Sequence, residues 1–111
     1  MNSILKSTMK LSGISESCTH FADQIMAYIN SVFFVLKQLG VGPEEGFVIT
    51  DEYSEWDDFL PNDPVLREAT KAYMSAKVRL QFDPPSSSSH MEALKSIIAE
   101  YEWRANVEVE S

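Results

Sequence analysis

Few side chains in this 111-residue chain could do chemistry, and their spacing argues against each chemistry in turn. His20 and His90 have no carboxylate, cysteine or second histidine at ligand spacing, so capping or surface roles suit them better than metal binding. Cys18 is the single cysteine, which rules out an internal disulfide and leaves a cysteine-based zinc site without partners. With no basic neighbour to lower its pKa, it reads as a small, partly buried hydrophobe rather than a reactive thiol. Ser3-Ile4-Leu5-Lys6 has the Ser-x-x-Lys spacing of a nucleophile pair but lies in a short terminal helix without supporting groups. Gly13, Gly40, Gly42 and Gly46 are scattered through turns, not gathered into a phosphate loop. Asp51, Asp57 and Asp58 lack the Asp-x-Asp-x-Asp-Gly-x5-Glu arrangement of a calcium loop and read as a solvated acidic face. The chain is therefore expected to be no enzyme and to carry no cofactor or metal; an interaction protein is the better class.

The charge distribution points the same way. Residues 1–42 hold Lys6, Lys10 and Lys37 against Glu16 and Asp23, a net of +1. Residues 43–63 contain Glu44, Glu45, Asp51, Glu52, Glu55, Asp57, Asp58 and Asp63 with no basic residue, a net of −8. The remainder carries −1, so one segment holds the whole excess. Such a surface repels a phosphate backbone and suits a basic protein partner. The longest apolar run, Val32 to Leu36, has five residues, far from the roughly 18 of a membrane span. Met1 to Leu11 lacks the continuous apolar stretch of a signal peptide, so a cytosolic protein is expected.

The elements that must position these residues are helical. An all-α fold in a single domain over 1–111 is expected: a short N-terminal helix at 1–12, a long helix at about 20–39, an acidic loop at 43–63, a helical hairpin at about 64–82 and 90–106, and an extended arm at 107–111. Asn2 or Ser3 can cap the first helix, which offers Ile4, Leu5, Met9 and Leu11 and ends at Gly13. The long helix places Phe21, Ile25, Tyr28, Ile29, Val32, Phe33, Leu36 and Leu39 at helical spacing; Met26, Phe34 and Val35 widen its apolar face beyond one stripe, as in a helix between others or at a subunit interface. Gly40 and Gly42-Pro43 close it. Phe47 to Thr50 is β-prone and able to pair with another extended segment, and Glu52 to Phe59 is read as a turn or two of helix with Tyr53, Trp56 and Phe59 inward.

Asp63-Pro64 has the chemistry of a helix start and Asp83-Pro84-Pro85 that of a stop. Between them Val65, Ala69, Ala72, Tyr73, Ala76 and Leu80 form the expected inner stripe, Met74, Val78 and Phe82 a second side, and Lys71, Lys77 and Arg79 a basic face. Ser89 to Glu92 has capping-box spacing, and Met91, Leu94, Ile98, Tyr101 and Ala105 form a seam expected to hold the hairpin shut. Trp103 lies off that seam, at the core edge or as a contact anchor. Val107 and Val109 alternate with Glu108 and Glu110, the period of an edge strand or extended arm.

Ile29-Asn30-Ser31-Val32-Phe33, Gln38 to Phe47 (QLGVGPEEGF), Trp56-Asp57-Asp58-Phe59, Lys77 to Pro85 (KVRLQFDPP) and Glu102-Trp103-Arg104 together resemble a family of small tailed-bacteriophage structural proteins. The resemblance implies a head-to-tail connector (adaptor, head-completion) subunit that forms a homo-oligomeric ring. Its partners would be the portal protein and a tail or stopper protein, with DNA passing through the ring without specific binding and no membrane involved. It implies residence in the virion neck, with the host cytoplasm as the place of assembly. Within that reading the candidate interface residues are Glu52, Glu55, Asp57 and Asp58 on the acidic segment, Lys71, Lys77 and Arg79 on the basic face, Trp103, and Val107 and Val109 on an arm able to add a strand to a partner. The alternatives are a tail-completion or other phage assembly protein, and an acidic regulatory or DNA-mimic protein.

Overall fold

Asp63 and Pro64 begin the helix around which the chain packs. In the computed structural model, which describes residues 3–13, 21–82 and 84–110 with side chains to residue 105, the Asp63 carboxylate accepts the Leu66 N–H at 3.0 Å, and Pro64 is the first helical residue. The helices are α1 (Ile4–Leu11), α2 (Ala22–Gln38), α3 (Trp56–Phe59), α4 (Pro64–Phe82) and α5 (Ser88–Glu110). No strand occurs among the described residues; the fold is all-α. Cys18, His20 and Asp83 lie outside them.

Helix α4 is the hub: α1, α2 and α5 all pack on it. Because it has neighbours on several sides, its buried set draws on both the expected inner stripe and the second side. Thr70, Tyr73, Met74, Ser75, Ala76 and Val78 are buried, whereas Val65, Ala69 and Ala72 are exposed. The buried hydroxyls of Thr70 and Ser75 donate to the carbonyls of Leu66 (2.7 Å) and Lys71 (2.8 Å), so small polar residues enter the packed face without open hydrogen bonds.

Helix α1 docks on the body of its own domain. Ser3 caps it through the Lys6 N–H, Ile4, Leu5 and Met9 are buried, and the Ser12 hydroxyl beyond its end donates to the Ser75 carbonyl at 3.2 Å. Leu11, expected as a packing contact, points outward instead. Helix α2 buries Ile25, Ile29, Val32, Phe33 and Leu36 and ends at Gly40, whose φ of +83° is the left-handed conformation that glycine adopts without cost. Its wide apolar face is only partly covered, for Phe34 remains 61% exposed.

The segment after α2 forms no strand. Its backbone is satisfied by a side chain: Asn30 on α2 donates to the Ile49 carbonyl (2.9 Å) and accepts the Ile49 N–H (2.8 Å), one amide doing for Ile49 what a neighbouring strand would. Phe33, Phe47, Trp56 and Phe59 then stack edge-on and tilted at centroid distances of 4.7 to 6.3 Å. Gly42 lies against this cluster with φ +93°, where a Cβ would overlap the Phe59 ring. The Trp56 indole N–H donates to Ser7 Oγ at 2.8 Å, tying the segment to α1. Tyr53, expected inward, is 76% exposed: α3 starts at Trp56, so Tyr53 belongs to the preceding turn and not to the helical face that carries Trp56 and Phe59.

Helix α5 departs from expectation at both ends. Ser87, not the Ser89–Glu92 box, caps it, accepting the His90 N–H at 3.4 Å. No extended arm follows residue 106, because α5 continues through Glu110. Once a helix is nucleated each added residue gains a hydrogen bond, and a four-residue alternation of Val and Glu is too short to outweigh that. The seam faces α4 but none of its residues is fully buried, and Ile98, Tyr101 and Ala105 are its points of contact with the core.

Candidate functional site

The candidate surface of an interaction protein is sought in what the fold leaves uncovered. Among the described residues no group of three or more His, Cys, Asp or Glu side chains is arranged to hold a metal ion, and no helix is long and apolar enough to cross a membrane.

The acidic candidates are brought together around α3, each with an intrachain partner. Glu52 lies 3.5 Å from the Lys6 ammonium, and Asp57 lies 3.8 Å from Arg67. Glu55 and Asp58 cap α3 reciprocally, with Asp58 accepting the Glu55 N–H at 2.9 Å. These exposed pairs are worth at most about 1 kcal/mol each, so they orient the carboxylates without removing the segment's negative field. Tyr53 stands in the middle of it, held by an Asx turn in which the Asp51 carboxylate accepts the Tyr53 N–H at 2.9 Å.

The basic candidates do not share one face. Lys71 and Arg79 line a groove of about 380 Å³ between α4 and α5, to which Leu11 of α1 also contributes. Ala72, Ala76, Leu94 and the half-exposed Ile97 supply its apolar surface, and His90 lies at its edge. Lys71 pairs with Glu68 at 2.9 Å. Lys77 faces the other side of the hairpin, 3.8 Å from Glu102 and 5.8 Å above the Tyr73 ring.

That second side carries a polar clasp between α4 and α5. Tyr73 and Tyr101 stack with centroids 4.2 Å apart, and the Tyr73 hydroxyl donates to Glu102 at 2.7 Å. The Tyr101 and Thr70 hydroxyls are 2.8 Å apart; since the Thr70 hydrogen goes to Leu66, Tyr101 is the donor. Burial pushes both phenols above the ordinary tyrosine value, and Glu102 raises Tyr73 further. Helical spacing puts Tyr73 and Tyr101 on the facing stripes of the hairpin, but it gives no sign of the hydrogen bonds to Glu102 and Thr70. The clasp's only signal in the sequence is a tyrosine at matching depth on each helix.

Trp103 is 66% exposed, which excludes core-edge packing for most of its surface. With Arg104 it borders a cleft of about 580 Å³ formed by the α2 C-terminal turn, Leu66 and Ala69 of α4, and Tyr101 and Ala105 of α5. Val107 and Val109 lie on the last turns of α5.

The family model described as "Phage connector protein" matches residues 4–111, nearly the whole chain. No curated protein and no solved structure matches it.

Proposed function

The chain belongs to the phage connector protein family, and on that premise we propose that it is a non-enzymatic subunit of the virion neck, an adaptor forming a homo-oligomeric ring between the portal protein and the tail or stopper protein. The family match carries this reading. Three features of the molecule support it. Helix α5 leaves both its flanks uncovered, with Trp103 on one and Ile97 on the other, as a subunit with two neighbours requires. The net charge of −8 suits a conduit through which DNA slides without sticking. The acidic segment and the groove beside Lys71 and Arg79 offer two unlike surfaces for a heterologous contact.

The test is particle composition and phenotype. Mass spectrometry of purified particles should find the chain at several copies, and a phage carrying a stop codon in place of Trp56 should accumulate DNA-filled heads without tails. Complete heads joined to tails in that mutant would overturn the adaptor role. Tails of aberrant length on normal necks would point to tail completion instead.

A further inference from the structure

Resting on the ring reading above, we propose that the groove between α4 and α5 is the socket for the Asp51–Tyr53 turn of the next copy of the chain, with Tyr53 as the anchor. Both halves of the contact stand ready in one subunit. The socket has an apolar lining of Leu11, Ala72, Leu94 and Ile97, two of which, Leu11 and Ile97, are largely uncovered at 58% and 42% exposure. Its volume of about 380 Å³ suits one inserted aromatic side chain rather than a whole helix.

Charge decides what enters it. Lys71 and Arg79 border the groove, with Glu68 the one carboxylate among its described lining residues, so the site favours an apolar group flanked by acids. The Asp51–Glu55 stretch has that composition: an exposed tyrosine between Asp51, Glu52 and Glu55. Tyr53 is also pre-positioned, since its N–H is held by Asp51 and the adjoining backbone is fixed to α1 through the Ser3 hydroxyl to the Glu52 carbonyl (2.6 Å) and the Ile4 N–H to the Ser54 carbonyl (2.9 Å). A rigid aromatic with a polar tip is the type of side chain that dominates binding energy at subunit contacts.

The same attachments exclude a self-contact. The turn is bound to the N-terminal end of α1, while Leu11 at the C-terminal end of α1 borders the groove. An eight-residue helix holds the two about 12 Å apart. The turn therefore reaches only another copy's groove, and a contact between two unlike patches repeats from copy to copy until it closes.

The test is a disulfide placed across the contact in assembled particles. With Cys18→Ser as background, Tyr53→Cys and Ile97→Cys in one chain should yield, after mild oxidation, a reducible ladder of multimers on a denaturing gel, and neither single variant should. In parallel, Tyr53→Ser and the groove-filling Ala72→Trp both alter exposed positions, so the helical spectrum and Tm should hold while infectious titre falls roughly tenfold or more, as expected for loss of an anchor residue. Particles that contain the chain as a ring yet give no ladder, or normal titres from both variants, would overturn the socket while leaving the adaptor role intact. Absence of the chain from purified particles would overturn both.

Discussion

The two halves of this molecule are held by different forces. In the half built from α1, α2, α3 and the segment before α3, large side chains are wholly enclosed: Trp56, Phe33, Ile4, Ile25, Ile29, Leu36 and Ile49 all have under 3% of their surface exposed. In the other half, α5 lies along α4 with no fully buried residue among those described up to 105, and is fastened by stacked tyrosines and hydrogen bonds. The difference teaches where rigidity ends. Burial of apolar area sets global stability, whereas a helix docked on one neighbour through a half-wet seam can open on its own. A subunit that must fold alone and then join neighbours has reason to put its uncovered surface on such a helix.

The comparison predicts, first and largest, that Trp56→Ala unfolds the whole domain. It removes the centre of the aromatic cluster and the Ser7 hydrogen bond, a loss of about 3 to 5 kcal/mol, which thermal melting would register as a single large fall in Tm. Ile98→Asp should behave differently. Ile98 is half-buried on the seam, so the carboxylate should cost about 2 to 3 kcal/mol and open α5 while the aromatic half stays closed. Hydrogen exchange resolved by segment separates the two outcomes; equal acceleration in α2 and α5 would show that the halves unfold together.

Much of the helical layout was legible in the sequence, and the parts that were not have physical causes. Helix starts and stops with strong local chemistry, Asp63-Pro64, Ser3 and Gly40, are found where their capping groups require. Val65, Ala69 and Ala72 of the expected inner stripe of α4 are exposed, whereas Tyr73 and Ala76 of that stripe and Met74 and Val78 of the second side are buried, because α1, α2 and α5 divide the helix surface among them. The Asn30 amide that satisfies Ile49 joins residues 19 apart, and the hydrogen bonds of the tyrosine clasp join residues about 30 apart; neither set leaves a local pattern. Of the candidate surface, the acidic segment was evident from composition. The separation of Lys77 from Lys71 and Arg79 appears only once α5 is laid on α4.

The clasp can be sharpened by alkali. Both phenols are raised in the folded state, so the neutral form is favoured there. Their contribution is complete below the ordinary tyrosine pKa of about 10 and is lost as pH climbs above it towards the folded values, because the unfolded chain ionises first. Melting of α5 should therefore advance between pH 10 and 11.5, while Tyr73→Phe with Tyr101→Phe should lower stability at pH 8 by about 1 to 3 kcal/mol and flatten that alkaline decline. A decline of unchanged steepness in the double variant would show that groups other than these two phenols cause it.

The smallest expected effect lies in the tightly packed half and has the opposite sign. Thr8 on α1 is 1% exposed, and its hydroxyl has no hydrogen-bond partner among the described residues. An unpaired buried hydroxyl gives up its bonds to water and gains nothing in return, a penalty of about 1 to 3 kcal/mol that an isosteric apolar side chain avoids. Valine has the same shape and the same branched Cβ, so helix propensity changes little and no cavity forms. Thr8→Val should accordingly raise stability by about 0.5 to 1.5 kcal/mol, less than the full penalty because the lost hydroxyl also made dispersion contacts, and chemical denaturation would register it as a higher midpoint at unchanged slope. A fall in the midpoint would mean that the hydroxyl is satisfied in solution by an ordered water between α1 and its neighbours, and that this half is less dry than its side-chain burial implies.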